Sequence, residues 1–280
     1  MPASAADQPA ARLTQWPAHV FMVGCGNMAG QMLSRWLAVG LDPARVTVLR
    51  PSGRAVAPGV TVITDYPGTL PEGTLVLLGM KPYQFADVAK RLAAVPGLGG
   101  PLVSILAGTT VATLRAGLPG IADIVRVMPN TPVGVGQGVC LLHADAATSA
   151  ATREEIEALM RPLGLAEWIA DEGQFNLGTA LSGCGPAYLY RFIDAFAVAG
   201  ARLGLPADQA ERLALATVQG AATLAAQAAE SPGILADRVA SPGGMTREGM
   251  NVLDADERLV SLLTDTIRAA RDRGEEMAAG

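Results

Sequence analysis

Val20-Phe21-Met22-Val23-Gly24-Cys25-Gly26-Asn27-Met28-Ala29-Gly30 runs a short apolar block directly into a glycine turn, and Met32, Leu33, Trp36 and Leu37 then recur at helical spacing. Strand, glycine turn and helix in that order make the G-x-G-x-x-A form of the dinucleotide fingerprint. Gly24 permits the tight turn, Gly26 lets a pyrophosphate approach the backbone, and the small Ala29 lets the helix pack on the strand. A purely structural glycine turn is the competing reading. The strand before it and the helix after it favour the nucleotide.

The next strand, Val46–Leu49, ends in Arg50-Pro51-Ser52-Gly53-Arg54. An NAD site of this type carries Asp or Glu there for the ribose hydroxyl, and here the charge is reversed. Arg50, Ser52 and Arg54 suit a 2′-phosphate, so NADP(H) is the expected cofactor, with NAD(H) admitted; simple solvation of the two arginines is the alternative. Strand patterns follow at 60–64, 74–80, 101–107 and 123–128, with helical stretches at 83–94 and 109–118. This alternation is that of a parallel sheet wound by helices. Gly79-Met80-Lys81-Pro82 and Ala107-Gly108-Thr109-Thr110 fall at strand ends, on the carboxyl edge where such sheets bind ligands. Segments 139–143 and 167–170 are expected to close the sheet around a helix at 148–161.

From about Glu172 the strand signals stop and the pattern stays helical. The expected fold class is α/β: an N-terminal Rossmann-type doubly wound sheet over 19–171, then an all-α dimerisation domain over 172–280. An Ala/Pro-rich disordered leader is expected over 1–18. In the helical part, Pro186 starts a helix at 187–203, and Pro206 and Asp208 open another whose stretch 213–229 is apolar on every side. Such a helix needs cover all round, which points to an intertwined dimer. A last helix at 256–277 has Leu259, Leu262, Leu263 and Ile267 on one face and reads as ordinary amphipathic core.

Ahead of that helix lies Ser241-Pro242-Gly243-Gly244-Met245-Thr246. A Pro-Gly-Gly turn feeding a helix leaves backbone N–H groups free and aimed the same way, which makes a seat for a carboxylate or phosphate. An ordinary loop capped by Ser241 or Thr246 is the alternative.

Composition narrows the classes. With 280 residues, half of them hydrophobic, two domains and a large core are expected. A net charge of −5 with scattered basic residues argues against a nucleic-acid surface. Cys25, Cys140 and Cys184 are odd in number and far apart, suggesting a reducing compartment and no disulfide frame or metal cluster. No apolar run reaches the roughly 18 residues of a membrane span, and the first residues lack the basic start and apolar block of a signal peptide, so a cytoplasmic protein is expected.

The glycine loop, Gly79-Met-Lys-Pro82, Ser104-Ile-Leu-Ala-Gly108, Arg126-Val-Met-Pro-Asn-Thr-Pro132, Leu181-Ser-Gly-Cys-Gly-Pro-Ala-Tyr188 and Ser241-Pro-Gly-Gly-Met-Thr246 together resemble pyrroline-5-carboxylate reductase, in that order, from about Val20 onward. The resemblance implies NAD(P)H-dependent reduction of 1-pyrroline-5-carboxylate to L-proline, the last step of proline synthesis. It also implies a dimer of interlocked helical domains, often assembled further into rings. Carried over by position, Val23, Gly24, Cys25, Gly26, Asn27 and Met28 would hold the pyrophosphate. Gly79, Met80, Lys81 and Pro82 would take the nucleotide side, and Ala107 and Gly108 with Asn130 the region near the nicotinamide. Ser241, Gly243, Gly244, Met245 and Thr246 would take the substrate carboxylate, with the Thr246 hydroxyl close to the ring nitrogen as the catalytic contact. Departures from the family pattern are Met245 where Thr or Ala is usual, Cys184 where Ser is common, and Tyr66 where an Asn often touches the cofactor.

The inventory agrees with that chemistry. A pyrroline imine protonates readily, so no Lys, His or metal is needed, and the only lysines are Lys81 and Lys90. A β-hydroxyacid dehydrogenase, the nearest rival, would need a lysine in the second domain. The other rival is a protein that binds NADPH without turnover, against which the intact Ser-Pro-Gly-Gly-x-Thr loop speaks.

Overall fold

A computed structural model describes residues 16–279. The expected leader therefore falls mostly outside the described residues. Its last part does not fit the expectation, because Trp16 packs against the core and Pro17 is buried.

Contacts divide the chain into two units, one running through Cys184 and including the chain from Ala270 on, the other Gly185–Ala269. The first holds β1 (Val20–Val23), α1 (Asn27–Ala38), β2 (Val46–Leu49), β3 (Thr61–Ile63), β4 (Leu75–Leu78), α2 (Phe85–Leu92), β5 (Leu102–Ser104), α3 (Val111–Gly117), β6 (Ile124–Pro129), β7 (Gly138–His143), α4 (Ala150–Met160), β8 (Gly164–Trp168) and the short α5 (Phe175–Gly178). The strands form one sheet in the order β3-β2-β1-β4-β5-β6-β7-β8. Every pairing is parallel except β6 with β7, where Arg126 sits opposite His143. This is the doubly wound order, with its switch point between β1 and β4.

Strand alternation explains the two-faced core. Val20 and Met22 join Met32, Leu33 and Trp36 of α1 and Ile156, Leu159 and Met160 of α4. Phe21 and Val23 join Phe85, Ala89 and Leu92 of α2 and Leu114 of α3 on the other face. The Trp36 indole N–H donates to Leu159 O at 2.9 Å, fixing α1 against α4. Cys140 lies in this core, and burial pushes its thiol up to about 12, so it stays protonated and inert.

β4 and β5 are shorter than the sequence patterns suggest, because each leaves the ladder before its glycine-containing end. β8 starts three residues before the expected 167. Gly164 opens that strand at φ 137°, where a Cβ would lie 2.0 Å from Gly138 O.

The second unit begins with α6 (Gly185–Arg202) and α7 (Ala207–Gln227), followed by α8 (Pro232–Val239), α9 (Met245–Asp254) and the start of α10 (Arg258–Ala279). Gly200 of α6 lies against Ala210 of α7, where a Cβ would make an ordinary contact at 3.5 Å. Ala197, Ala210 and Ala214 are buried, while Leu213, Leu215 and Leu224 of α7 and Leu259, Leu262 and Leu263 of α10 stay exposed on the single chain. The apolar face of α10 is therefore not covered core, as the amphipathic pattern had suggested.

That helix also starts later than expected, for a backbone reason. Asp256 and Glu257 have φ of 54° and 51°, the left-handed region, so the helix cannot include them. Left-handed backbone costs a side-chain-bearing residue about 1 kcal/mol, which glycine avoids. Asp256→Gly and Glu257→Gly are each expected to raise the melting temperature by about 2 °C, and unchanged or lower melting would count against strain at this kink.

Candidate functional site

The turn after β1 and the turn after β4 lie side by side at the switch point. Gly24 has φ 82°, and a Cβ on it would sit 2.9 Å from Met80 N. A Cβ on Gly79 would sit 2.9 Å from both the Ala29 Cβ and Gly24 O. Each glycine is thus required by the approach of the other loop. Gly26 is different: a Cβ there would meet nothing within 4 Å. Its absent side chain opens space above the start of α1, as a pyrophosphate demands.

That helix start suits an anion. Gly26 is the N-cap and offers no side-chain bond, and no acidic residue lies in the first turn. The first N–H groups of α1 keep their donor capacity for a ligand. Beside them, burial pushes the Cys25 thiol up while the Arg50 guanidinium pulls it down, so Arg50 reaches the electrostatic field of the glycine loop. Val23 is buried, Met28 packs on the core, and Asn27 Oδ1 accepts from Gln31 Nε2 at 3.3 Å.

Arg50, Ser52 and Arg54 lie on one turn past β2. Gly53 N donates to Arg50 O at 2.9 Å with Gly53 at φ 63°, Arg50 Nη1 donates to Arg54 O at 3.5 Å, and Arg54 N donates to Ser52 Oγ at 3.5 Å. Among the described residues neither arginine has a carboxylate partner. Tyr66, past β3, carries the Arg91 guanidinium 4.5 Å from its ring centroid, and Asp65 holds that arginine. Lys81 is exposed, with Pro82 behind it opening a helical turn. Gly108 is left-handed at φ 71° in the turn between β5 and α3, next to the exposed Ala107. Asn130 is buried; Nδ2 donates to Ser182 O at 2.9 Å and Oδ1 accepts from Val139 N at 2.8 Å, which leaves one amide hydrogen uncommitted.

The stretch 241–246 belongs to the second unit. Gly243 is left-handed at φ 70°, and Gly244 N donates to Ser241 O at 3.0 Å, closing the turn. A Cβ on Gly244 would lie 2.7 Å from the Ser241 hydroxyl. Gly244 is the N-cap of α9 and supplies no side-chain cap, so the helix again opens with bare N–H groups. Arg247 ties the turn to α8 through Asp237 at 2.9 Å and Ala240 O at 3.3 Å. Met245 is 93% exposed and Thr246 is exposed beside it.

One cluster was not foreseen from sequence, where Arg126 entered only as the head of a quoted motif and was given no partner. Arg126 of β6 is 4% exposed; its Nη1 donates to Glu172 Oε1 at 2.6 Å and its guanidinium stacks 4.1 Å from the Phe175 centroid. Glu172 Oε1 also accepts from Val111 N at 2.8 Å, and Oε2 lies 4.0 Å from His143 Nε2. Burial lowers the pKa of Arg126, and Glu172 opposes that shift. An arginine inside the apolar strand Ile124–Pro129 was the available signal, since a charge buried in a sheet needs a partner.

Fold and site define a Rossmann-type dinucleotide-binding oxidoreductase with a helical second unit. Residues 172–277 match the family model for pyrroline-5-carboxylate reductase dimerisation. The pyrroline-5-carboxylate reductase of Pseudomonas aeruginosa is 34% identical over 264 residues, covering 92% of this chain and 96% of that one. A solved pyrroline-5-carboxylate reductase from Coxiella burnetii superposes with a TM-score of 0.84 at 32% identity, over 94% of this chain and 99% of the other. A Plasmodium falciparum pyrroline carboxylate reductase with NADP bound shares the fold, with a TM-score of 0.75 at 22% identity over 93% and 98% of the two chains. The chain belongs to the pyrroline-5-carboxylate reductase family. Among the described residues no helix is long and apolar enough to cross a membrane, and no cluster of His, Cys, Asp and Glu is arranged for a metal.

Proposed function

We propose that this chain reduces 1-pyrroline-5-carboxylate to L-proline, with NADPH preferred as the reductant. The observation that carries this reading is the uncapped start of α9 behind Ser241-Pro-Gly-Gly-Met-Thr246, a carboxylate seat in a chain that elsewhere carries a dinucleotide loop.

The bare N–H groups of α9 hold the carboxylate without a cationic side chain, so the ring is oriented through the group that does not react. Thr246 hydrogen-bonds the ring nitrogen. Residues 23–28 take the pyrophosphate, Gly79, Met80, Lys81 and Pro82 the nucleotide side, and Ala107, Gly108 and Asn130 border the nicotinamide. When bound, the dinucleotide supplies hydride from the nicotinamide C4 to the imine carbon of the protonated ring, and the C=N π electrons become the lone pair of the secondary amine. The residues contribute positioning, not acid or base chemistry. The homodimer is the assembly unit, with higher assembly and a cytoplasmic setting as part of the proposal.

Oxidation of NADPH in the presence of pyrroline carboxylate, with proline as product, tests the reading; binding of NADPH without turnover would leave only a nucleotide-binding protein. The same assay tests the turn past β2. Arg50→Ala with Arg54→Ala is expected to cut the preference for NADPH over NADH by about tenfold or more, as loss of charge-assisted bonds to a phosphate implies. Wild-type use of NADH at least as efficient as that of NADPH would refute the role given to Arg50.

A further inference from the structure

We propose that Glu172 is a positioning residue for the nicotinamide: its carboxylate sets the place of the turn between β5 and α3. This rests on the reading above that Ala107 and Gly108 border the cofactor. Val111 is the first residue of α3, three positions past Gly108, and its N–H has no helical partner of its own. Thr110 caps Thr113 N at 3.1 Å, and Glu172 Oε1 takes Val111 N at 2.8 Å. The turn is therefore pinned at the end that enters the helix.

The pin is itself anchored from the sheet. Arg126, next to Ser104 of β5 in register, donates to the same Oε1 at 2.6 Å and lies against Phe175, three residues after Glu172. His143 closes the far side: the Ile169 carbonyl accepts from Nδ1 at 2.7 Å, so Nε2 faces Glu172 Oε2. One carboxylate thus joins α3, β6, β7 and the segment that opens α5. Substrate contacts at 241–246 involve none of these groups, so displacing the pin should disturb the cofactor-side geometry and leave substrate binding alone.

Glu172→Asp separates positioning from charge balance, because it keeps a carboxylate for Arg126 but is one methylene too short to hold Val111 N–H as well. In the cofactor-free protein, amide exchange at Val111 should rise while the melting temperature stays close to that of the wild type. In the assay, turnover should fall about tenfold, the scale expected for a small misplacement of a reactant. The Michaelis constant for pyrroline carboxylate should stay within about twofold. Wild-type turnover, or wild-type exchange at Val111, overturns the proposal, as does recovery of both in Glu172→Asp when Glu172→Gln is impaired. If Glu172→Asp does not fold, Val111→Pro, which deletes the donated N–H at the first position of α3 and leaves Glu172 paired with Arg126, carries the turnover measurement, and wild-type turnover there overturns the proposal. Gly108→Ala tells the two readings apart. Impairment there with an unaffected Glu172→Asp removes only the role of Glu172, whereas normal NADPH affinity and turnover in Gly108→Ala removes the cofactor-side assignment and this proposal with it.

Discussion

Leu224→Asp is expected to dissociate the dimer without unfolding the chain. On the single chain Leu224 is 64% exposed, and it lies on α7 with Ala216, Gly220 and Thr223 beside it, so an aspartate there is solvated in the monomer and meets no packed neighbour. In the dimer proposed above a second copy buries it. A carboxylate forced into a dry contact without a partner costs several kcal/mol, and each 1.4 kcal/mol is about tenfold in the association constant. Sedimentation or light scattering at micromolar concentration should show monomer for the variant and at least dimer for the wild type, with helical circular dichroism retained. A stable, active wild-type monomer, or a Leu224→Asp dimer as tight as the wild type, would put the dimer contact elsewhere.

What could be read without coordinates followed the range of the interaction. The glycine turn was legible because Gly24 and Gly79 each sit at a strand end that sequence marks locally, while their mutual approach, which makes both glycines necessary, was seen only in the structure. The apolar stretch 213–229 was legible too, since helical residues that are small and apolar all round announce a missing partner. Gly164 was not, because glycine signals a turn and only its contact with Gly138 makes it a strand opener. Asp256 and Glu257 gave no warning of left-handed backbone, which is uncommon outside glycine, although Asp adopts it more readily than Glu. The partner of Arg126 was not legible for a plainer reason: the buried arginine signals that it needs one, but 46 residues separate it from Glu172 and no spacing pattern joins the two. Thr246 and the glycines before it came from a short motif, and the structure adds that their helix starts bare.

The backbone at that start is the point on which the substrate assignment turns. Gly244→Pro removes the N–H that donates to Ser241 O at 3.0 Å and puts a ring where even a Cβ would meet the Ser241 hydroxyl at 2.7 Å. The turn that presents the first N–H groups of α9 is then lost, so the Michaelis constant for pyrroline carboxylate should rise by about a hundredfold, as loss of charged hydrogen bonds of 1.5–3 kcal/mol predicts. NADPH affinity, measured by fluorescence, should be nearly unchanged, since the nucleotide loops belong to the other unit. Thr246→Ala tests the side chain instead. Thr246 is exposed, so its loss does not cost the fold, and turnover should fall about tenfold if its hydroxyl meets charge on the ring nitrogen. Thr246→Ser keeps the hydroxyl and should recover most of that loss. Should Gly244→Pro and Thr246→Ala both saturate and turn over like the wild type, the carboxylate is bound elsewhere and the role given to residues 241–246 falls.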